Sequence, residues 1–184
     1  LIQKELIKNK TIFIPVDSEH FSIWSNIKNI NNDMINKVIL TASGGPFLNK
    51  SNNYIKKATI KNALKHPNWR MGKKISIDSA TLMNKVFELI ETMRVFNFSK
   101  NQLNILIHPK SYVHSIIKFN NGLINITAHV TNMKIPIFNS IYYPSNKKII
   151  TNNINYKILN NLKLSKPSKN KFPSLELINS IRKK

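Results

Sequence analysis

Residues 66–93 read HPNWRMGKKISIDSATLMNKVFELIETM, and the second half of this run carries the marks of a helix. Asp78 or Ser79 is placed to cap a first turn, no Gly or Pro follows, and apolar residues recur three and four apart, so a helix is predicted over about 79–95. Leu82, Met83, Val86, Leu89, Ile90 and Met93 form the stripe that should face a core. Thr81, Asn84, Lys85, Glu88 and Glu91 form a second stripe, which in an arbitrary helix is simply a solvated face. The preceding loop argues for more: Trp69 and Met71 stand among turn formers in residues 66–72, as large apolar groups do in loops that close over a ligand. The unpaired N–H groups of a helix N-terminus, with donors from Ser79, Asn84 and Lys85, suit a phosphate. Glu88, one turn farther on, adds an acceptor suited to a cation.

Outward from this stretch, composition sets bounds. The 184 residues are enough for one domain with a real core, or a domain plus an arm. There is no Cys, which excludes a disulfide frame and thiolate metal ligation and is compatible with a reducing compartment. No apolar stretch is long enough to cross a bilayer as a helix, and the first residues are not a signal peptide. The chain opens on Leu1 inside an apparent helix, LIQKELIKNK, as a fragment or processed product does. The formal charge of +21 invites a nucleic-acid reading, but the basic residues are mostly Lys, spread evenly, and accompanied by an excess of Ile and Asn. That points to a compositional origin, with non-specific polyanion binding as its consequence. Of the eight acids, Asp17, Glu19, Asp78, Glu88 and Glu91 fall in two short stretches, and a cluster retained where acids are scarce marks a candidate site.

Residues 11–16, TIFIPV, read as a short buried strand, with Asp17, Ser18, Glu19 and His20 at its end. Extended geometry projects Asp17 and Glu19 to one side and Ser18 away. Two such carboxylates repel unless a proton or cation lies between them, and Glu88 would complete an oxygen set for Mg²⁺ or Mn²⁺. The competing reading is a polar strand end that caps the next helix. A second strand over 37–41 runs into Ser43-Gly44-Gly45, where backbone N–H groups can approach an anion. Four glycines cannot build a GxGxxG fingerprint, so no dinucleotide-binding half is present. A helix is predicted over 53–65 and a short strand over 74–77; strands are predicted over 103–107, 113–119 and 123–128, the last two joined as a hairpin at 120–122. His20 is left out of the ligand set, and His108 and His114 are read as structural. Residues 135–142 look helical, 145–171 form a loose arm with one strand-like piece, and 174–184 a final helix.

Four stretches, IPVDSEH (14–20), TASGGPF (41–47), HPNWRMGKKISIDSATLMNK with Glu88 (66–88) and IHPKSYVHSII (107–117), resemble in order and spacing the 1-deoxy-D-xylulose 5-phosphate reductoisomerases of non-mevalonate isoprenoid biosynthesis. The resemblance covers most of residues 11–140. It implies an α+β catalytic domain (1–144) with helices on one face of a mixed, largely antiparallel sheet, followed by a linker arm and the start of a C-terminal helical region (145–184). It implies that Asp17, Glu19 and Glu88 hold Mg²⁺ or Mn²⁺, that these carboxylates and Lys85 serve catalysis, and that Ser18 contacts substrate. Ser43, His66, Ser79, Asn84 and Lys85 would take the substrate phosphate, Trp69 and Met71 would form the flap, and Met71 and Gly72 would contact NADPH. The implied reaction is isomerisation and NADPH-dependent reduction of 1-deoxy-D-xylulose 5-phosphate to 2-C-methyl-D-erythritol 4-phosphate by a cytoplasmic homodimer, with no membrane and no specific nucleic-acid partner.

The pattern also departs from that family. The N-terminal NADPH domain and the Lys-Glu motif after it are not matched, nor is the C-terminal helical domain beyond about residue 184. Val86 stands at a family glycine, Arg70 at a small flap residue, and HVTN (129–132) at a usual Gly-Glu-Pro-Asp. The 184 residues alone are therefore expected to bind metal and substrate without oxidising NADPH. The other reading is a degenerate, non-catalytic basic module that binds nucleic acid non-specifically.

Overall fold

The computed structural model describes residues 2–145, 147–151 and 153–181. A four-stranded sheet in the order β2-β1-β3-β4 organises the chain, with β1 (Ile35–Ala42), β2 (Leu103–Ile107), β3 (Val113–Phe119) and β4 (Ile124–Ala128). β1 runs parallel to β2, and the β1–β3 and β3–β4 pairs are antiparallel, so the sheet is mixed and largely antiparallel as expected. The hairpin between β3 and β4 turns at Gly122, whose φ of 90° the absence of a Cβ permits.

Helices pack on one face of this sheet. Val38, Leu40 and Ala42 of β1, Leu103, Ile105 and Ile107 of β2 and Ile117 of β3 alternate toward it. They meet Ile23 and Ile27 of α2 (Ser18–Ile27) and Leu82, Val86 and Leu89, which begin or lie on α6 (Met83–Val95). Met83, Ile90 and Met93 lie against the same cluster, so the predicted apolar stripe is the buried one. Phe172 and Leu175, at the start of a 3₁₀ helix over Pro173–Ser180, close its far side. Fully burying a side chain of this size contributes about 1.5–3 kcal/mol. The remaining helices are α1 (Ile2–Lys8), α3 (Asn52–Lys56), α4 (Ile60–Ala63), α5 (Lys73–Ala80), α7 (Lys134–Tyr142) and α8 (Tyr156–Leu159).

Several expectations are corrected. Residues 11–16 belong to no strand and are not a buried run: only Pro15 is buried, and Ile12, Phe13 and Val16 are exposed. Asp17 and Glu19 therefore do not alternate on a strand. Residues 74–77 are not a strand but the body of α5. The single helix over 79–95 is two helices, since Leu82 takes the left-handed conformation (φ 59°) and α6 starts again after it. Neither Asp78 nor Ser79 caps α6: Asp78 pairs with Lys74 at 2.6 Å, and α6 has no side-chain cap. The helix over 53–65 is divided between α3 and α4, each with its own cap, Ser51 and Thr59. The final helix is 3₁₀ over Pro173–Ser180, with residues 182–184 outside those described.

Candidate active site

At the C-terminal end of β1 the chain leaves the sheet through Thr41, Ala42 and Ser43, which form one wall of a cleft of about 270 Å³. The loop after Ser43 is drawn tight against α5. Gly45 has φ 63°, and a Cβ there would stand 2.6 Å from the Ser79 carbonyl oxygen, so only glycine lets the two backbones meet. This approach puts Ser43 and Ser79 in one cleft. His66 orders the loop facing them. Its Nδ1 accepts the backbone N–H groups of Asn68 (3.2 Å) and Trp69 (2.9 Å), which leaves the proton on Nε2 to be donated to Ser43 Oγ at 2.9 Å. Ser43 Oγ also accepts from Gly45 N at 3.0 Å, so its own hydroxyl proton is free for a ligand. Burial pushes the His66 imidazole below its ordinary pKa, in keeping with this neutral tautomer.

The 66–72 loop is anchored by a residue that motif reasoning passed over. The Asn68 side-chain amide donates to Pro109 O (2.6 Å) and to Ser111 Oγ (2.8 Å), tying the loop to the segment before β3. Trp69 meets His114 of β3 edge-on, with ring centroids 6.2 Å apart. Trp69, Arg70 and Met71 line the cleft; Gly72 does not, and instead precedes α5 as its cap residue.

The charged floor comes from two helices. Asp17 is the N-cap of α2, its Oδ1 accepting the N–H groups of Glu19 and His20 at 3.1 Å each, so the capping role and the cluster role fall on one residue. Glu19 lies in the first turn, and Ser18, buried, donates to its carboxylate. Glu88 arrives from α6. His20 locks the two helices together through Nε2 to Glu88 O at 3.0 Å, and Thr92 Oγ donates to that same carbonyl at 2.7 Å. The restart at Leu82 sets the phase of α6 so that Asn84, Lys85 and Glu88 face the cleft; Thr81 and Glu91, predicted for the same stripe, are exposed. One carboxylate oxygen from each of Asp17, Glu19 and Glu88 lies within 4.8 Å of the others.

Lys85 is the counter-charge of this cluster, buried with Nζ at 2.5 Å from Glu19 Oε1 and 2.5 Å from Glu88 Oε2. Burial disfavours its charge, but the two carboxylates outweigh that and hold its pKa above the ordinary lysine value. Burial also pushes Glu19 up, yet Lys85, His114 and the hydrogen bonds from Lys85 and Ser18 prevail and hold it at about 2. Glu88 goes the other way: burial and the charge of Glu19 raise it well above the usual carboxylate range, with Lys85 opposing. Burial and Glu19 raise Asp17 too. One ammonium thus serves three carboxylates, and burial with mutual repulsion raises both Asp17 and Glu88. A divalent cation fits such a set, since it relieves the repulsion among hard oxygen donors that a single lysine leaves.

Of the residues predicted for the site, Asp17, Ser18, Glu19, Ser43, His66, Trp69, Met71, Ser79, Asn84, Lys85 and Glu88 line one cleft. Thr41, Ser111, Val113, His114 and Met133 line it as well and were not anticipated. His114 is buried, with Nε2 3.2 Å from His129 O and its ring stacked on that of His129 at 3.7 Å. Burial holds its pKa down at about 4. A buried histidine on an alternating strand carries no sequence mark that separates a cleft wall from a core position. His108, buried and 3.2 Å from Lys163 O through Nδ1, lies away from the cleft.

Residues 13–96 match the family model for the 1-deoxy-D-xylulose 5-phosphate reductoisomerase C-terminal domain. Over 98% of its length the chain is 56% identical to 1-deoxy-D-xylulose 5-phosphate reductoisomerase of Pelagibacter ubique, covering 47% of that protein. It is 41% identical to the enzyme of that name from Sulfurihydrogenibium sp., covering 98% of this chain and 48% of the relative. A crystal structure of DOX-P reductoisomerase in complex with NADPH, fosmidomycin and magnesium superposes with a TM-score of 0.89 at 38% identity, over 98% of this chain and 47% of that one. The Zymomonas mobilis 1-deoxy-D-xylulose 5-phosphate reductoisomerase in complex with NADPH gives 0.85 at 33% identity, over 95% and 45%. The chain spans about half the length of the curated relatives it matches.

Proposed function

The chain belongs to the 1-deoxy-D-xylulose 5-phosphate reductoisomerase family, and from that premise we propose that its cleft is the metal- and substrate-binding half of such an enzyme. The activity is isomerisation and NADPH-dependent reduction of 1-deoxy-D-xylulose 5-phosphate to 2-C-methyl-D-erythritol 4-phosphate. The observation that carries this reading is the convergence of Asp17, Glu19 and Glu88 within 4.8 Å, beside Ser43, Ser79 and Asn84 in one cleft. Asp17, Glu19 and Glu88 hold Mg²⁺ or Mn²⁺, which when bound supplies Lewis-acid polarisation of substrate oxygens. Ser18 orients the substrate backbone beside Glu19. Ser43, with the hydroxyl proton that His66 and Gly45 leave free, takes the phosphate together with Ser79, Asn84 and Lys85. Trp69 and Met71 close the loop over substrate and exclude water, and Met71 and Gly72 are the residues that would contact NADPH.

The parent enzyme is proposed to be a cytoplasmic homodimer. Leu123, Ile124 and Ile126, exposed on and beside edge strand β4, offer the apolar surface for pairing. No helix among the described residues is long and apolar enough to cross a membrane. The catalytic portion is assigned to residues 1–144 and a linker arm to 145–184. Calorimetric titration of the chain with fosmidomycin tests the reading: binding should require Mg²⁺ and fall below detection in Glu88→Gln. Binding that survives EDTA, or that Glu88→Gln leaves intact, would overturn it.

A further inference from the structure

The cleft has a charge problem that its motif residues do not solve. Its lining contains three carboxylates, Asp17, Glu19 and Glu88, and two cations, Lys85 and Arg70. Lys85 is a shared charge, its ammonium held at 2.5 Å by both Glu19 and Glu88, so it meets a phosphate already largely neutralised. With a divalent ion on the carboxylates, the ion and Lys85 together only cancel them. A phosphate monoester brings close to two more negative charges, and Ser43, Ser79 and Asn84 offer it hydrogen bonds without compensating charge. Arg70 is the remaining cation of the lining. It is exposed, it forms no hydrogen bond or ion pair among the described residues, and it sits between Trp69, whose backbone N–H is bound by His66, and Met71. The guanidinium is thus mounted on an ordered loop and, among the described residues, committed to no hydrogen bond or ion pair.

We propose that Arg70 is an anion-binding residue of this cleft, closing with the 66–72 loop to pair its guanidinium with the phosphate of the bound sugar. A planar fork of N–H donors matches the tetrahedral oxygens in a bidentate contact, and it arrives only when the loop closes, so ligand charge and loop closure are coupled. The inference rests on the proposed sugar-phosphate reading of the same cleft and adds its charge donor.

The test uses calorimetry on the wild-type chain, Arg70→Ser and Arg70→Lys at saturating Mg²⁺. Three ligands are compared: fosmidomycin, acetohydroxamate (a metal-chelating head without phosphonate) and NADPH. Arg70→Ser should weaken fosmidomycin by about ten- to a hundredfold, the scale of charge-assisted hydrogen bonds, and leave acetohydroxamate within twofold. Arg70→Lys should recover part of the loss by keeping the charge without the fork, and added salt should weaken wild type more than Arg70→Ser. Equal fosmidomycin affinity in wild type and Arg70→Ser overturns the inference alone. So does a loss shared by acetohydroxamate, or one confined to NADPH, which would assign Arg70 to the cofactor. A wild-type chain that binds no fosmidomycin removes the sugar-phosphate reading and this inference with it.

Discussion

Replacing Lys85 by Met tests how the charged floor is held. Met keeps the length and apolar stem of the side chain, but it removes the ammonium that lies 2.5 Å from both Glu19 and Glu88. Three carboxylates within 4.8 Å of one another then have no internal counter-charge. Breaking a buried ion pair from one side costs about 3–5 kcal/mol, because the abandoned charge stays buried. For a chain of this size, at about 2–4 °C per kcal/mol, the metal-free variant should melt roughly 6–20 °C below wild type. The sign with pH follows from the carboxylates. Without Lys85 their folded-state pKa values rise above the unfolded ones, so the deficit is small at pH values below the ordinary carboxylate pKa and grows as pH rises through the raised values. Mg²⁺ supplies the missing positive charge and should restore much of the loss. Circular-dichroism melts of both proteins at pH 5 and pH 8, in EDTA and in Mg²⁺, decide the matter. A variant within about 1 kcal/mol of wild type in EDTA, or a deficit indifferent to both pH and Mg²⁺, would refute the ion-pair account.

Two further outcomes follow from the geometry. Gly45→Ala places a Cβ 2.6 Å from the Ser79 carbonyl in a left-handed conformation, so it should cost at least about 1–2 kcal/mol and also weaken fosmidomycin, because Ser43 and Ser79 separate; a melt and an affinity unchanged from wild type would contradict the close-approach argument. His114, held at about 4 by burial against an ordinary value of 6.5, contributes stability that is complete above pH 6.5 and is lost as pH falls toward 4, amounting to about 3 kcal/mol. His114→Asn should therefore flatten the stability profile between pH 6.5 and 4 relative to wild type, with chemical denaturation as the measurement; parallel profiles would show that His114 is not held neutral.

How the site is assembled separates local information from tertiary. Sequence periodicity carries the apolar stripe of α6, the three strands β2, β3 and β4, and the turn at Gly122, because each depends on which side of a local repeat can leave water. The unusual placement of Asp17, Glu19 and Glu88 in a chain with eight acids, the Ser43-Gly44-Gly45 turn and the Trp69 loop were also legible, since residue types that are costly in ordinary elements stand out. Tertiary context decided the rest. Residues 11–16 have the composition of a strand but pair with no strand of the sheet, and residues 74–77 alternate like a strand yet form α5. Leu82 shows no sign in the sequence of its left-handed turn, which is held by burial in the core, and that turn sets which face of α6 meets the cleft. The partner of Lys85 was equally hidden. Its spacing suits an anion site at a helix start, and in the fold its ammonium also pairs with Glu88 of its own helix and Glu19 of another. An ammonium settles on the strongest field within reach, and that field exists only once α2 and α6 are packed side by side.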